Sequence, residues 1–562
     1  MAEKNFNIVP TVSISRSKFL RQSGHKTSFN LGDIVPIYVD EVLPGDTRSI
    51  DVASLIRMST PIAPIMDDIV MEFFAFFVPN RLVWSHWKQF MGESDVAGYN
   101  SSTEYTVPQG DIKPSDVSAG TLADYFGLPY GTSNTAYKVD LLIPRGYVKI
   151  YNRWFRNQNV EGLVPVTDGD SDGTGAASMI TLLKGDPLVA YKKPDYFTTA
   201  LPYAQKGAAI SLPLGTYAPV VTLASEGFRG SQAAGGSVEA MRWRNVDGTP
   251  AGEVSRNSPI GIPLGGVQMQ SPNAGKTIRL EDTDDMLGVD DPVQYLAPSN
   301  LWADLGQATA ATINDIRLAF CTQKALEKDA LYGSRYWEIL YGHFGVKSPD
   351  ASLQDPEYLG GSKCYINVDQ VLQTTGYDDS SSSELAKVGA NSVTGMKANL
   401  FTKSFCEHGH IFIMAVARQK KHTYAAGLNR MWSRQRRFDY YLPVFANLGN
   451  QEIRKRELSV TGGLTVFGYQ EAWAEYRYKP SITTGILNPN RSSSLDYWTL
   501  TDEDPTSSVT LSSSFLKETR DNIERALTTG STGPDFIADF LFNDVAVRPM
   551  PMYSIPGLID HH

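Results

Sequence analysis

The chain has 562 residues, 42% of them hydrophobic, and a net charge of −10 at pH 7. That length supports a large core, and the acidic balance excludes nucleic-acid binding through overall charge, leaving only a local basic patch able to do it. Cys321, Cys364 and Cys406 are too far apart for a disulfide framework or a C-x-x-C zinc ribbon, and no run reaches the roughly 20 apolar residues of a membrane helix. The opening MAEKNFNIVP lacks an apolar signal-peptide core, so the expectation is a soluble protein made in a reducing compartment.

Residues 1–28 read as a polar, basic N-terminal arm. Phe29–Val42 alternates as a strand interrupted at Pro36, hence irregular or at a sheet edge, because proline cannot donate to a ladder. Leu43-Pro44-Gly45-Asp46 is a turn: proline presets φ and glycine supplies a positive one. Thr47–Ser59 is a second strand. Ile69–Val78, IVMEFFAFFV, is apolar apart from Glu72 and is bracketed by Asp67, Asp68 and Pro79. It is too short for a membrane helix and reads as a central strand covered on both faces. Asn80 can cap a helix over Arg81–Met91 with Val83, Trp87 and Phe90 turned inward. Asp140–Phe155 reads as a helix entered after Pro144, and Thr167–Gly175 as a loop. Ala204–Ser299, rich in Gly, Ala, Ser and Pro, is a long insertion. Asn300–Leu331 carries the strongest helical pattern, with Leu305, Ile313, Ile316, Phe320 and Leu326 as its apolar stripe. Asp379–Glu384 is an exposed loop. Phe412–Val416, Leu458–Phe467 and Ala472–Tyr478 read as strands, and the tail from Arg548 is extended. Strands at both ends, with helices and long loops between, suit an antiparallel sandwich better than a βαβ repeat.

Motifs for phosphate-loop and serine-hydrolase chemistry are absent. Asp168, Asp170, Asp172 and Gly173 match the start of a calcium loop, but Met179 stands where a bidentate Glu belongs, so a solvated Asp/Gly turn is the plainer reading. Cys406, His408 and His410 would share one face of a strand without a second ligand cluster, so no metal is expected. The pairs Asp284/Asp285 and Asp290/Asp291 sit in loops and give no case for glycosidase chemistry. Two basic clusters stand out. One is Arg16, Lys18, Arg21, His25 and Lys26. The other holds Arg418, Lys420, Lys421, Arg430, Arg434, Arg436 and Arg437, interleaved with Tyr424, Trp432, Phe438, Tyr440 and Tyr441. Cations beside flat rings suit single-stranded nucleic acid, with charge for phosphate and a π-face for the base. The same pattern suits a surface that contacts another subunit.

Long ordered segments carry a resemblance. They are SGHKTSFNLGDIVPIYVDEVLPGDT (Ser23–Thr47), TPIAPIMDDIVMEFFAFFVPNRLVW (Thr60–Trp84), PDYFTTALPYAQKG (Pro194–Gly207) and RYWEILYGHFGVKSPDASLQDPEYLGG (Arg335–Gly361). GLNRMWSRQRRFDYYLP (Gly427–Pro443), FGYQEAWAEYRYKP (Phe467–Pro480) and RPMPMYSIPGLIDHH (Arg548–His562) complete them. In these the chain resembles the major capsid proteins of the microviruses, small tailless single-stranded DNA phages, and most closely their gokushovirus branch. The resemblance implies a mainly β fold: an eight-stranded antiparallel jelly roll with large loop insertions containing several helices. It implies many identical copies in a T=1 icosahedral shell around a circular single-stranded DNA genome, made in the host cytoplasm, with no cofactor and no catalysis. A small basic packaging protein and a scaffold are candidate further partners; the host receptor is not named by it. The expected organisation is a 1–28 arm, a first jelly-roll part at 29–203, a 204–299 insertion projecting at the threefold axis, a helix pair with the remaining strands at 300–480, and a 481–562 segment lying across neighbours. Ser225, Arg229, Trp243, Arg256 and Met286 are the candidate host-contact residues of the insertion. The DNA-contact candidates rest on charge and aromatic pattern alone. The rival reading is a jelly-roll carbohydrate-binding or hydrolytic protein without a genome.

Overall fold

The computed structural model describes residues 15–93, 105–208, 210, 313–347, 349, 353–374 and 387–553, together with the backbone of seven short strands between 220 and 303. Residues 207–325 form one compact unit and the rest of the chain another.

The larger unit is built on eight strands: β1 (Ser17–Phe29), β2 (Val35–Val42), β3 (Thr47–Met58), β4 (Ile69–Pro79), β5 (Glu357–Tyr365), β6 (Thr394–Ser404), β7 (Gly409–Gln419) and β8 (Phe536–Arg548). They make two four-stranded sheets, in the orders β1-β8-β3-β6 and β5-β4-β7-β2, antiparallel throughout. Period-2 alternation sends one side of each strand into a shared core. Ile50, Val52 and Ile56 of β3 and Phe536, Phe540 and Phe542 of β8 meet Met71, Phe73 and Phe77 of β4 and Ile411 and Ile413 of β7 there.

The second sheet is buried on its other face too. Phe76 and Val78 of β4 and Phe412, Met414 and Val416 of β7 join a second core with Leu142, Tyr147, Val148 and Ile150 of helix α1 (Leu142–Ile150). This is why β4 reads as a continuous apolar run: both its faces are covered. Glu72, its one charged residue, lies on the outer face and is met there by Arg418 and Lys193. Pro36 sits in β2 at the edge of the sheet, where the pairing with β7 skips a residue between Ile413 and Met414, as proline demands. Gly45 turns Leu43–Asp46 with φ +90°, closed by the Asp46 N–H donating to the Leu43 carbonyl at 3.0 Å.

Several elements differ from expectation. Residues 17–28 of the basic arm are strand β1. The helix expected at Arg81–Met91 is two single turns, Asn80–Val83 and Trp87–Phe90, and Asn80 lies inside the first, which has no side-chain cap. Helix α1 starts before Pro144, which fits its first turn where no N–H is needed, and ends in a π-turn, Tyr151–Phe155. In place of a helix from Asn300, Leu301–Ala303 is a strand and α2 spans Ile313–Tyr332, with Ile313 and Phe320 exposed; Leu305 lies outside the described residues, as does the Asp379–Glu384 loop. Leu458–Phe467 and Ala472–Tyr478 are not strands. Short 3-10 turns at Val460–Gly462 and Ala474–Tyr476 replace them, bent by positive φ at Gly463 (+64°) and Trp473 (+66°); the strand there is Val466–Glu471.

In the 207–325 unit the described strands pair antiparallel: Val220–Thr222 with Leu301–Ala303, Met241–Arg244 with both Pro250–Val254 and Ala297–Pro298, and Val267–Gln270 with Arg279–Asp282.

Candidate nucleic-acid interface

Strand parity divides the first basic cluster. Lys18 and Lys26 lie on the exposed side of β1, with Lys26 loosely paired to Asp539 at 3.6 Å, and Arg16 is exposed just before the strand. Arg21 and His25 point the other way. Arg21 donates through Nε to Asp544 at 2.9 Å and also reaches Asp40. The fully buried Arg48 joins the same two carboxylates, at 2.6 Å to Asp40 and, through Nε, 2.9 Å to Asp544. Arg548 adds Asp46 at 3.1 Å. Three arginines thus face three aspartates, tying β1, β2, β3 and β8 together. Burial alone would raise the Asp40 carboxyl, but Arg21 and Arg48 hold it below its ordinary value. Burial lowers the pKa of His25. The charge on Arg21 is therefore committed inside the subunit.

The second cluster divides likewise. Arg418 lies on β7 and donates through Nε to Glu72 at 2.9 Å and through Nη1 to the Tyr191 carbonyl at 3.0 Å. Lys420 pairs with Asp68 at 2.9 Å and lies 4.7 Å over the Tyr365 ring. Arg430 donates to the Glu452 carbonyl at 2.9 Å and stands near Glu457 and Glu475. The Arg434 side chain, only 8% exposed, reaches Glu475 at 3.4 Å and stacks 4.3 Å over Tyr476. What remains exposed to a partner is Lys421, Arg437 and Arg436, whose side chain is 86% exposed and only loosely paired, at 3.9 Å, with Asp439. In the same stretch as Arg436 and Arg437, Trp432 (72% exposed), Phe438, Tyr440, Tyr441 and Val444 are all exposed. Exposed rings with exposed arginines are the composition of an interface, toward either a strand of nucleic acid or another protein surface.

The acidic loop is organised by a guanidinium. Arg145, fully buried on α1, donates to the carbonyls of Gly169 at 2.9 Å and Ser171 at 2.8 Å. Asp170 accepts from Trp84 Nε1 and from His86 Nδ1, and Asp172 caps the helix Met179–Leu183 by accepting from Ser178 Oγ at 2.6 Å and the Met179 N–H at 2.7 Å. The Asp170 and Asp172 carboxylates are spent on protein donors, and the Asp168 carbonyl accepts from the Ser85 N–H at 2.8 Å, so the loop is a braced turn. Cys406 lies in a bend outside β7 and is exposed, whereas His410 is buried on β7; they do not share a strand face with His408. Among the described residues no group of three or more His, Cys, Asp or Glu could hold a metal.

Charge pattern missed a third basic group, Lys149, Arg153 and Arg156, which lines a cleft with Arg335. Its signal was three basic residues at 149, 153 and 156 at the end of the helical pattern. Of the insertion candidates, Trp243 lies in the strand Met241–Arg244, and Ser225, Arg229, Arg256 and Met286 fall outside the described residues.

Comparison with known proteins bears on the whole chain. A family model described as capsid protein (F protein) matches residues 7–558. Capsid protein VP1 of Bdellovibrio phage phiMH2K is 38% identical over 560 residues, covering 99% of this chain and 98% of that protein. Capsid protein VP1 of Chlamydia phage 1 is 36% identical, covering 99% of this chain and 98% of its own. Capsid protein VP1 of Spiroplasma virus 4 is also 36% identical, covering 99% and 97%.

Proposed function

The chain belongs to the capsid protein (F protein) family of the microviruses, in the gokushovirus branch, and is a structural protein and not an enzyme; on that premise we propose that its copies close a T=1 icosahedral shell around a circular single-stranded DNA genome. The observation that carries the reading is the near-complete overlap with VP1 proteins, 99% of this chain in each case.

The eight strands form a jelly roll in this reading. Support comes from the two four-stranded antiparallel sheets, in which strands from opposite ends of the chain, β1 and β8, are neighbours, as are β2 and β7. A closed shell needs heterologous patches that repeat around symmetry axes. The exposed rings around Trp432 and Phe438 supply one such patch; within 481–562, strand β8 belongs to the subunit's own core, and the exposed Ile482, Ile486 and Tyr553 are the parts that reach neighbours. Lys18, Lys26, Lys421, Arg436 and Arg437 are the cations available for genome phosphate. Arg21, Arg418, Arg430 and Arg434 hold the subunit itself together. The 204–299 insertion makes the projection at the threefold axis, where host attachment takes place. Synthesis occurs in the host cytoplasm, with a small basic packaging protein and a scaffold as assembly partners.

Nuclease treatment of purified particles tests the genome part. Single-stranded DNA that survives nuclease and is released by denaturing the shell is expected; shells that never retain DNA at low salt would contradict it.

A further inference from the structure

Helix α1 and its π-turn carry Lys149 and Arg153, and Arg156 follows at the π-turn's C-cap with extended backbone. With Arg335, which precedes helix α3 (Tyr336–Phe344), they line a cleft of about 1000 Å³ in which Asp355 is the one acidic residue. Asp355 is taken by Arg153 at 3.0 Å. Arg335 is taken by Glu338 at 2.8 Å and by the Arg153 carbonyl. Among the described residues, Lys149 and Arg156 have no carboxylate within ion-pair distance. Arg156 donates one Nη1 to the Glu161 carbonyl at 2.6 Å, and its Nε is buried without an acceptor. Burial, and then the charge of Arg335, push the Arg153 and Arg156 guanidinium pKa values down.

Flat rings stand beside these cations. Arg153 lies 5.1 Å over the Trp337 ring, and Tyr336 is exposed at the cleft wall. A second cleft of about 600 Å³ shares Arg153, Trp337 and Asp355 with the first and adds Trp154 and Lys347, while its other charges pair with each other, Arg81 with Glu407 and Lys403 with Glu357. An excess of donors wants an anion, a buried unmet guanidinium N–H wants an acceptor oxygen, and a solvent-facing ring wants a flat partner.

We propose that the first of these grooves binds a phosphate-bearing strand: phosphate oxygens at Arg156 and Lys149, and a base stacked on Tyr336. The proposal rests on the genome-enclosing reading and gives it a site separate from both basic clusters of the sequence. A lone phosphate would satisfy the cations but leave Tyr336 without a role, and that difference is measurable.

The test is fluorescence anisotropy of a labelled oligothymidylate with the full-length chain across a salt series, repeated with inorganic phosphate as competitor. Arg156→Gln and Lys149→Gln are expected to weaken binding and to lower the slope of log K against log salt by about 0.7 for each lost phosphate contact. Tyr336→Ala is expected to weaken binding about tenfold while leaving the salt slope in place. Unchanged Tyr336→Ala affinity, with full competition by inorganic phosphate, would reduce the groove to a simple anion site and overturn the strand proposal. Wild-type binding kept by all three variants would remove the groove and leave the genome reading standing. No binding by the wild-type chain would remove both. Lys149→Gln deletes only a half-buried, unpaired ammonium, so it carries the test if Arg156→Gln fails to fold.

Discussion

Glu72 is the single charge in an apolar strand, and the cations that meet it come from distant parts of the chain, Lys193 and Arg418. Replacing it with Gln leaves two half-buried cations without their counter-ion. Breaking a buried pair in this way costs about 3–5 kcal/mol, so Glu72→Gln is expected to lower the chemical-denaturation midpoint sharply; a midpoint equal to wild type would contradict the role. His422 makes the second residue-scale prediction. It is buried between Asp502, at 3.0 Å from Nδ1, and Glu518, at 3.2 Å from Nε2, with Asn522 donating to Asp502 at 2.6 Å and with Lys192 and Asp67 nearby. Burial alone would lower its pKa, but the two carboxylates raise it to about 9. A raised folded-state pKa stabilises most below the ordinary value near 6.5, and that share is lost as pH climbs through about 9. Thermal melting between pH 6 and 10 should show that loss, and His422→Phe should flatten it. None of this could be read from spacing. The pattern around Arg418–Arg437 is visible in the sequence, but Glu72, Glu457 and Glu475, which neutralise much of it, become neighbours only on folding.

At the scale of elements, β4 and the Gly45 turn were legible because their signals are local: a bounded apolar run, and a proline–glycine pair. Strand β8 was not. Phe536, Ala538, Phe540 and Phe542 alternate inward, but Ile537, Leu541 and Val545 on the outward side blur the period. The two false strands near 458–478 failed for a different reason: Gly463 and Trp473 take positive φ and curl a β-rich composition into 3-10 turns. The contact between α1 and β7 depends on a missing side chain. A Cβ at Gly146 would stand 2.8 Å from the Phe412 ring. Gly146→Val is expected to destabilise by about 1–3 kcal/mol through overpacking, measured as a shift in the urea midpoint, and Phe412→Leu in the same chain should recover part of it.

At the scale of the whole molecule, the long ordered segments revealed the family, while the division of each basic cluster into committed and available charges needed the fold. The 207–325 unit is compact in its own right, so deleting Ser225–Met286 should leave the two four-stranded sheets folded and the chain soluble. Insoluble protein from that deletion would contradict the insertion reading. Trp432→Ala with Phe438→Ser should leave each subunit folded, with unchanged circular dichroism, but prevent closure of the shell, since apolar rings at the centre of an interface carry much of its free energy. Electron microscopy of the purified full-length protein tests the central claim most directly. Uniform small icosahedral shells with projections at the threefold positions are the predicted result. Only monomers or small discrete oligomers, with the chain folded and its scaffold and packaging partners supplied, would contradict it.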